Sequence, residues 1–410
     1  MRIVIIGQGP AGISAVESIR SYDQESEVIV ISGENSVPYS PALLPNYLLN
    51  EAKEVVFWKG RDFLSRMRVE HVLTENVKEI FPEDRRVLTE SEREVKYDRL
   101  LIAAGASVAV PRISGIDKKG IFTFKTLEDA DEILRWLRTE HPKEAIVVGA
   151  GFIGLDAAMC LREKGLNVKV IEVMDRILPM MLDEEMAGYA LGKLEERGIE
   201  FFFQEKVSEI GGEDRVGEVV LESGRELKSD LLIMATGVRP NLSFILKKLK
   251  ANVGIVVDEH LQTSEEDIFA AGDIVEFKDK ITGEFRVNAI HPNAVVQGKL
   301  AGKSIVGQTV EYPGSENINI VSIFDTPVVS AGVMQGEVVR KFDEIGYRKF
   351  YLRDERIVGL QFVGGTDKAG IYYSLMGKHE SLAGKEHLVF DKRFNYGYLL
   401  SLCYRTPTIL

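Results

Sequence analysis

The sequence predicts an α/β protein with two parallel-sheet domains in tandem and a strand-rich C-terminal part. Three observations predict it. A strand, a glycine-rich turn, a helix and a second strand occur in that order twice along the chain. Each copy is followed by another apolar strand that ends in small residues. From about residue 313 the pattern changes to strands separated by short turns. With 410 residues the chain is long enough for two or three domains.

In the first copy Ile3-Val4-Ile5-Ile6 leads into Gly7-Gln8-Gly9-Pro10-Ala11-Gly12, a helical stretch over 13–20 and the strand Val28-Ile29-Val30-Ile31. In the second, Ala145-Ile146-Val147-Val148 leads into Gly149-Ala150-Gly151-Phe152-Ile153-Gly154, a helix to about Lys164 and the strand Val168-Lys169-Val170-Ile171. The first glycine of such a turn permits the tight bend. The second lets backbone approach a pyrophosphate, and the third lets the helix pack close to the strand. The helix N-terminus adds unpaired N–H groups and the positive end of a dipole. Two copies, each set between a strand and a helix, point to two Rossmann-like dinucleotide-binding domains.

A carboxylate about 20 residues beyond the first glycine is expected to accept ribose hydroxyls. Glu172 holds that position in the second copy. It would repel a 2′-phosphate, so this site is expected to prefer NAD to NADP, with Arg176 close enough to soften the preference. In the first copy the strand ends at Ser32-Gly33-Glu34, and Glu34 reads equally as a ribose ligand or as a solvated loop acid. Further on, Asp98-Arg99-Leu100-Leu101-Ile102 precedes Ala103-Ala104-Gly105-Ala106, and Asp230-Leu231-Leu232-Ile233-Met234 precedes Ala235-Thr236-Gly237. Small residues after a buried strand suit the far wall of a cofactor site, where bulk would collide with the ligand.

Lys and Arg total 51 against 63 Asp and Glu, a formal net charge of −12. That balance, with no Lys/Arg cluster along the chain, lacks the electrostatic footprint of a nucleic-acid binder. Cys160 and Cys403 are too few for a disulfide framework, an iron–sulfur cluster or a Cys-rich zinc site. The six histidines show no paired spacing, so no metal centre is expected. The longest apolar run, 100–110, is interrupted by Gly and Ser and is too short to span a membrane. Opening directly on a strand leaves no room for a signal peptide. The expectation is a cytoplasmic protein in a reducing compartment.

These motifs resemble those of the two-dinucleotide-binding flavoproteins, the pyridine-nucleotide–disulfide oxidoreductase superfamily. The likeness spans about residues 1–302 and includes Ala235-Thr236-Gly237-Val238-Arg239-Pro240-Asn241 and Ile268-Phe269-Ala270-Ala271-Gly272-Asp273. The resemblance implies FAD on Gly7, Gly9, Pro10, Ala11 and Gly12, with Ala104 and Gly105 beside it and Asp273, after Gly272, on the flavin ribityl chain. It implies NADH on Gly149, Gly151, Phe152, Ile153 and Gly154, with Gly237 beside it. Phe152 stands where family members often place an aromatic over the flavin ring, plain helix packing being the alternative. Asp156 stands where they usually have a Glu that orients the nicotinamide amide.

The resemblance further implies an FAD domain formed by 1–110 and 240–312, an NAD domain inserted at 111–239, and a C-terminal α+β interface domain at 313–410. Such an interface domain often builds a homodimer. Strands are expected there over 318–323, 328–333, 347–352 and 357–363, then a helix near 369–376. The apolar stretch 396–404 reads as either domain core or a subunit contact. In Asn288-Ala289-Ile290-His291-Pro292-Asn293-Ala294, Pro292 fits the first turn of a helix whose N–H groups, near Ala294, would face the flavin. His291 reads as a cap or a surface residue rather than a catalytic one.

Disulfide reductases of this superfamily carry a Cys-x4-Cys pair against the flavin, and their peroxidase and coenzyme A–disulfide reductase relatives carry one cysteine in a similar segment. Here that segment is Val37-Pro38-Tyr39-Ser40-Pro41-Ala42-Leu43-Leu44-Pro45. Without a thiolate there is no nucleophile to relay electrons to a disulfide or peroxide. The stretch is similar instead to the Pro-Tyr segment of rubredoxin and ferredoxin reductases and of flavin subunits in multi-component oxidoreductases, without the lysine those often carry. The implied activity is hydride transfer from NADH to FAD and then electron delivery to a small redox protein or a partner oxidoreductase subunit. The alternative is an NADH oxidase that reduces oxygen to hydrogen peroxide. No side chain is assigned to catalysis. A docking face for an acidic carrier would need a local basic patch, which the linear order does not display.

Overall fold

Strands rich in Ile and Val with no polar alternation can be buried on both faces, which is the setting of a parallel sheet. The computed structural model describes all residues except 246–247, 344–345, 379–380, 383–388, 392–393, 396 and 398–410. Its first sheet runs, in spatial order, Ile268–Ala270, Arg99–Ile102, Arg2–Ile6, Glu27–Ile31 and Val69–Val72, all parallel. The second runs Ile121–Phe122, Leu231–Met234, Glu144–Val148, Asn167–Glu172 and Ile199–Phe203, again all parallel. Register is matched too: Ile6 pairs with Ile31 and Ile102, and Val148 with Ile171 and Met234. Each glycine turn therefore leaves the same end of the central strand of its sheet.

The repeat extends further than its motifs. Each sheet has a three-stranded antiparallel meander: Val77–Phe81, Arg86–Thr89 and Glu94–Lys96 in the first, Val207–Gly211, Glu218–Leu221 and Glu226–Lys228 in the second. These short strands are half-exposed and carry charged residues, so the sequence has no apolar run to mark them. The first sheet is completed by Ile268–Ala270, which follows the second sheet in the chain. The outgoing strand Ala106–Val108 and the returning strand Val238–Pro240 pair antiparallel, and the Ala109 N–H donates to the Gly237 carbonyl at 2.9 Å.

The C-terminal part is a five-stranded antiparallel sheet in the order Ile318–Ile323, Thr326–Gly332, Arg356–Gly364, Gly346–Arg353, Glu337–Asp343, followed by the helix Ala369–Lys378. Glu337–Asp343 is a strand the sequence reading did not anticipate. Exposed and charged residues run along it, as suits the edge of a sheet. The stretch 396–404, apart from Gly397, and Cys403 lie outside the described residues.

Two helices fix where the first glycine turn faces. Helix Pro10–Tyr22 follows that turn, and helix His291–Ile305 lies against it. A Cβ on Gly298 would stand 2.1 Å from the Ala11 carbonyl oxygen, and one on Gly302 2.7 Å from that of Ala15. The matching order of these contacts makes the helices parallel, so both N-termini open at one end. The Ser18 hydroxyl adds a hydrogen bond to the Lys299 carbonyl at 2.7 Å. Gly298→Ala is expected to cost about 1–3 kcal/mol through backbone overlap, read as a lower urea midpoint. Gly192→Ala, in helix Glu184–Glu195 where a Cβ meets nothing within 4 Å, is expected to stabilise by about 1 kcal/mol.

Candidate dinucleotide sites

The three glycines of each turn are held for different reasons. Gly7 and Gly149 have φ of +105° and +110°, and a Cβ on either would press within 2.2–2.3 Å of the carbonyl oxygen of Ala103 or Ala235. A Cβ on Gly12 or Gly154 would meet the carbonyl oxygen of Gly7 or Gly149 at 2.1 and 1.9 Å. These four positions are small because the fold itself closes on them. Gly9 and Gly151 are different: each is the N-cap of its helix, makes no side-chain cap, and has nothing within 4 Å of a Cβ. Protein packing does not require glycine there, whereas a phosphate lying on the helix N-terminus would. Gly105 and Gly237, on the opposite walls, have φ of +63° and +87° and likewise open space around a Cβ. The residues present thus fit a dinucleotide at each turn.

At the first site the chain brings together residues distant in sequence. A Cβ on Gly272 would be 3.0 Å from the Ala11 side chain and 3.8 Å from that of Ala294, so the turn before Asp273 touches both helix N-termini. Pro10 occupies the first turn of its helix, as Pro292 does in helix His291–Ile305. Gln297, which the sequence reading missed, locks this junction: its Oε1 accepts the Gly272 N–H at 2.7 Å and its amide nitrogen donates to the Tyr312 hydroxyl at 2.9 Å. Asn241 ties the far wall, donating to the Ala104 carbonyl at 2.8 Å and accepting from the Ser107 hydroxyl at 2.7 Å.

Lys125 is the second residue the sequence reading missed. Its ammonium lies 3.8 Å from the Asp273 carboxylate, with both side chains three-quarters covered. It precedes Thr126, which caps helix Leu127–Glu140, and no spacing rule connects it to the first fingerprint. It follows strand Ile121–Phe122, the edge of the second sheet, so the chain of the second sheet delivers it to the first site. Glu34 is half-buried and accepts the Tyr39 hydroxyl at 2.7 Å, so it is not a freely solvated loop acid. Burial raises its carboxyl above the ordinary range, against the lowering effect of the Tyr39 bond. The same Tyr39 oxygen accepts the Leu127 N–H at 3.0 Å, which links the first site to the helix after Lys125.

His291 departs from both expectations. The cap of its helix is Ile290, and His291 is half-buried with a covered Nε2 that has no hydrogen-bond partner. Burial lowers its pKa, partly opposed by Asp273, and the Trp58 ring stands edge-on with centroids 6.5 Å apart.

At the second site Glu172 is buried at the strand end and doubly anchored. One oxygen accepts the Ala150 N–H at 2.7 Å and the other the Met174 N–H at 2.9 Å. Arg176 is spent elsewhere, donating to the Leu182 and Pro179 carbonyls and pairing with Asp175. Phe152 and Ile153 begin helix Phe152–Glu163 and pack half-buried on the core beneath it. One turn on, Asp156 is half-buried with its carboxyl pushed up to about 7 by burial. Another turn on, the Cys160 thiol reaches the Pro45 carbonyl at 3.6 Å. The face carrying 152, 156 and 160 therefore looks toward the segment that ends at Pro45. Burial first, and Asp156 second, raise the Cys160 pKa, so it stays a protonated thiol.

Among the described residues no cluster of His, Cys, Asp or Glu is arranged to hold a metal ion, and no helix is long and apolar enough to cross a membrane.

Comparison with known proteins agrees with this geometry. Residues 1–298 match the family model described as pyridine nucleotide-disulphide oxidoreductase. The NADH oxidase of Methanocaldococcus jannaschii is 32% identical over 395 residues, covering 89% of this chain and 88% of that protein. The epsilon subunit of the NADH-dependent phenylglyoxylate dehydrogenase of Aromatoleum evansii is 30% identical, covering 84% and 83%. The NAD-dependent persulfide reductase of A. fulgidus superposes with a TM-score of 0.86 at 29% identity, over 94% of this chain and 78% of that one.

Asp156 has a measurable signature. An acid whose folded pKa is raised destabilises the fold once ionised, so stability should fall as pH rises from about 4 through 7 and level off above. Asp156→Asn should remove that slope and be the more stable protein at pH 8, by an amount of the order of a few kcal/mol. Urea midpoints at pH 5 and pH 8 for the two proteins read the difference directly.

Proposed function

The chain belongs to the pyridine nucleotide-disulphide oxidoreductase family and is an NAD(P)H-dependent FAD oxidoreductase that uses FAD and NADH; we propose that it delivers electrons from NADH to a small redox protein or a partner oxidoreductase subunit. The observation that carries this reading is the state of the thiols. Cys160, the one described cysteine, is buried and held protonated, and the segment from Val37 to Pro45 has none. Among the described residues, electrons reaching the first site have no thiolate through which to pass to a disulfide.

FAD, when bound, supplies a two-electron acceptor that can release electrons one at a time. In this reading Gly7, Gly9, Pro10, Ala11 and Gly12 hold its pyrophosphate, with Ala104 and Gly105 as the facing wall. Glu34, oriented by Tyr39, takes the adenine-side ribose. Gly272 and Asp273 would meet the ribityl chain, with Ala294 beside them, and the N–H groups ahead of Ala294 in the first turn of its helix would face the ring. Lys125 adds a cation beside Asp273. The domain built from 1–110 and 240–312 carries this site, and 111–239 carries the second. There Gly149, Gly151 and Gly154 hold the NADH pyrophosphate, and Phe152, Ile153, Asp156 and Gly237 border the nicotinamide end. Glu172, fixed by two backbone N–H groups, presents its remaining lone pairs to the ribose hydroxyls. A 2′-phosphate would meet that carboxylate with Arg176 already engaged, which favours NADH over NADPH. These residues bind, orient and exclude water; none of them needs to act as an acid or base for hydride to leave the nicotinamide.

A second reading, an NADH oxidase that produces hydrogen peroxide, is favoured by the similarity to a protein named NADH oxidase. Anaerobic titration of the purified protein separates the two. Stoichiometric NADH should bleach the flavin absorbance, NADPH should do so far less readily, and reoxidation in air should be slow. Fast reoxidation with hydrogen peroxide release would support the oxidase. Flavin that neither nucleotide bleaches would remove the role given to the second site. Glu172→Gln should narrow the preference for NADH by about tenfold.

A further inference from the structure

The parallel helices Pro10–Tyr22 and His291–Ile305 leave a surface groove of about 360 Å³ between them, lined by Glu17, Tyr22, Val296, Lys299, Leu300 and Lys303 among others. Apolar groups are exposed along it: Tyr22 at 52% and Val296 at 44%. Toward the helix N-termini the surface continues into Trp58, itself 45% exposed. Lys59 joins the two parts, with its ammonium 4.2 Å over the Trp58 ring and 2.6 Å from the Glu17 carboxylate. Lys303 lies over the Tyr22 ring at 5.9 Å, and neither Lys299 nor Lys303 forms an ion pair among the described residues. The strip thus carries three ammonium groups against one carboxylate on a chain whose net charge is −12. One end is Trp58, edge-on to His291 at the helix N-terminus that converges with Pro10.

We propose that this face, from Trp58 by the helix N-termini to Lys303 in the last turn, docks a small acidic electron-carrier protein with the Trp58 end nearest the first site. The inference rests on the reading given under Proposed function and names the surface and the charge of the partner. Exposed apolar side chains with a basic rim suit a small, short-lived complex whose encounter is steered by charge. A nucleic acid would meet the wider field of an acidic chain, and a second copy would bring its own net negative charge. Each NADH supplies two electrons, so two carriers are reduced in succession, NADH becomes NAD⁺ and one proton is released.

The test uses the FAD-loaded protein, NADH and an acidic rubredoxin, with rubredoxin reduction followed by its absorbance. Added salt should inhibit rubredoxin reduction by the wild type, and Lys299→Glu combined with Lys303→Glu should abolish that inhibition and raise KM for rubredoxin by roughly tenfold with little change in kcat. Rapid-mixing bleaching of the flavin by NADH should be unchanged in the same variant, which also verifies its fold. The milder Lys299→Gln, Lys303→Gln pair should fall between. Equal KM and equal salt dependence in the charge-reversed and wild-type proteins would overturn the docking face while leaving the proposed function intact. Wild-type protein whose flavin is bleached by NADH but which reduces neither rubredoxin nor a [2Fe–2S] ferredoxin would overturn both. A dimer that dissociates on the same double substitution would assign the face to a second copy and overturn the proposal.

Discussion

The first site depends on how closely two helices can approach. Helix His291–Ile305 reaches the backbone of helix Pro10–Tyr22 only because Gly298 and Gly302 have no side chain where Ala11 and Ala15 present carbonyl oxygens. That approach sets two helix N-termini side by side and brings the Gly272 turn between Ala11 and Ala294. Electrostatically, the result is a pair of parallel dipoles converging on the place where a phosphate and an electron-rich ring would lie. Gln297 then fixes the Gly272 backbone, so the geometry is determined by packing and by hydrogen bonds to main chain. The second site has a simpler foundation. One helix and one strand end supply it, and Glu172 is positioned by the backbone of the turn it serves.

Placing the two sites in one chain requires communication between sheets that are each self-contained. Tyr39 bridges them with a single oxygen, donating to Glu34 and accepting from Leu127. Lys125 crosses from the segment after strand Ile121–Phe122 to Asp273. On the other side, the face of helix Phe152–Glu163 that carries Asp156 meets the segment ending at Pro45 through Cys160. Charges and polar groups therefore gather at the seam between the sheets, which is where ligands settle in layered α/β proteins.

Much of the architecture was legible in the sequence because it is written in local patterns. Apolar β-branched runs mark the central strands, and glycine spacing marks the turns after them, since those glycines answer to distances within one strand–turn–helix unit. The meanders and the edge strand Glu337–Asp343 escaped because half-exposed strands carry charged residues without an apolar run. In the candidate sites the glycine spacing was readable and the residues packed against those turns were not. Lys125 and Gln297 act across long sequence separations, and no periodicity records which residues a fold will bring face to face. His291 illustrates the same limit: its place at a helix start was readable, and its buried, unpartnered nitrogen was not.

The pairing of Ala106–Val108 with Val238–Pro240 bears on how such a chain is assembled. Outgoing and returning strands are hydrogen-bonded side by side, so everything between them enters and leaves through one doorway. A segment closed at its base can be lengthened, trimmed or exchanged without rethreading the sheet it interrupts. Topologically the first sheet stays open until the chain has passed through the second, and its final strand, Ile268–Ala270, closes it afterwards.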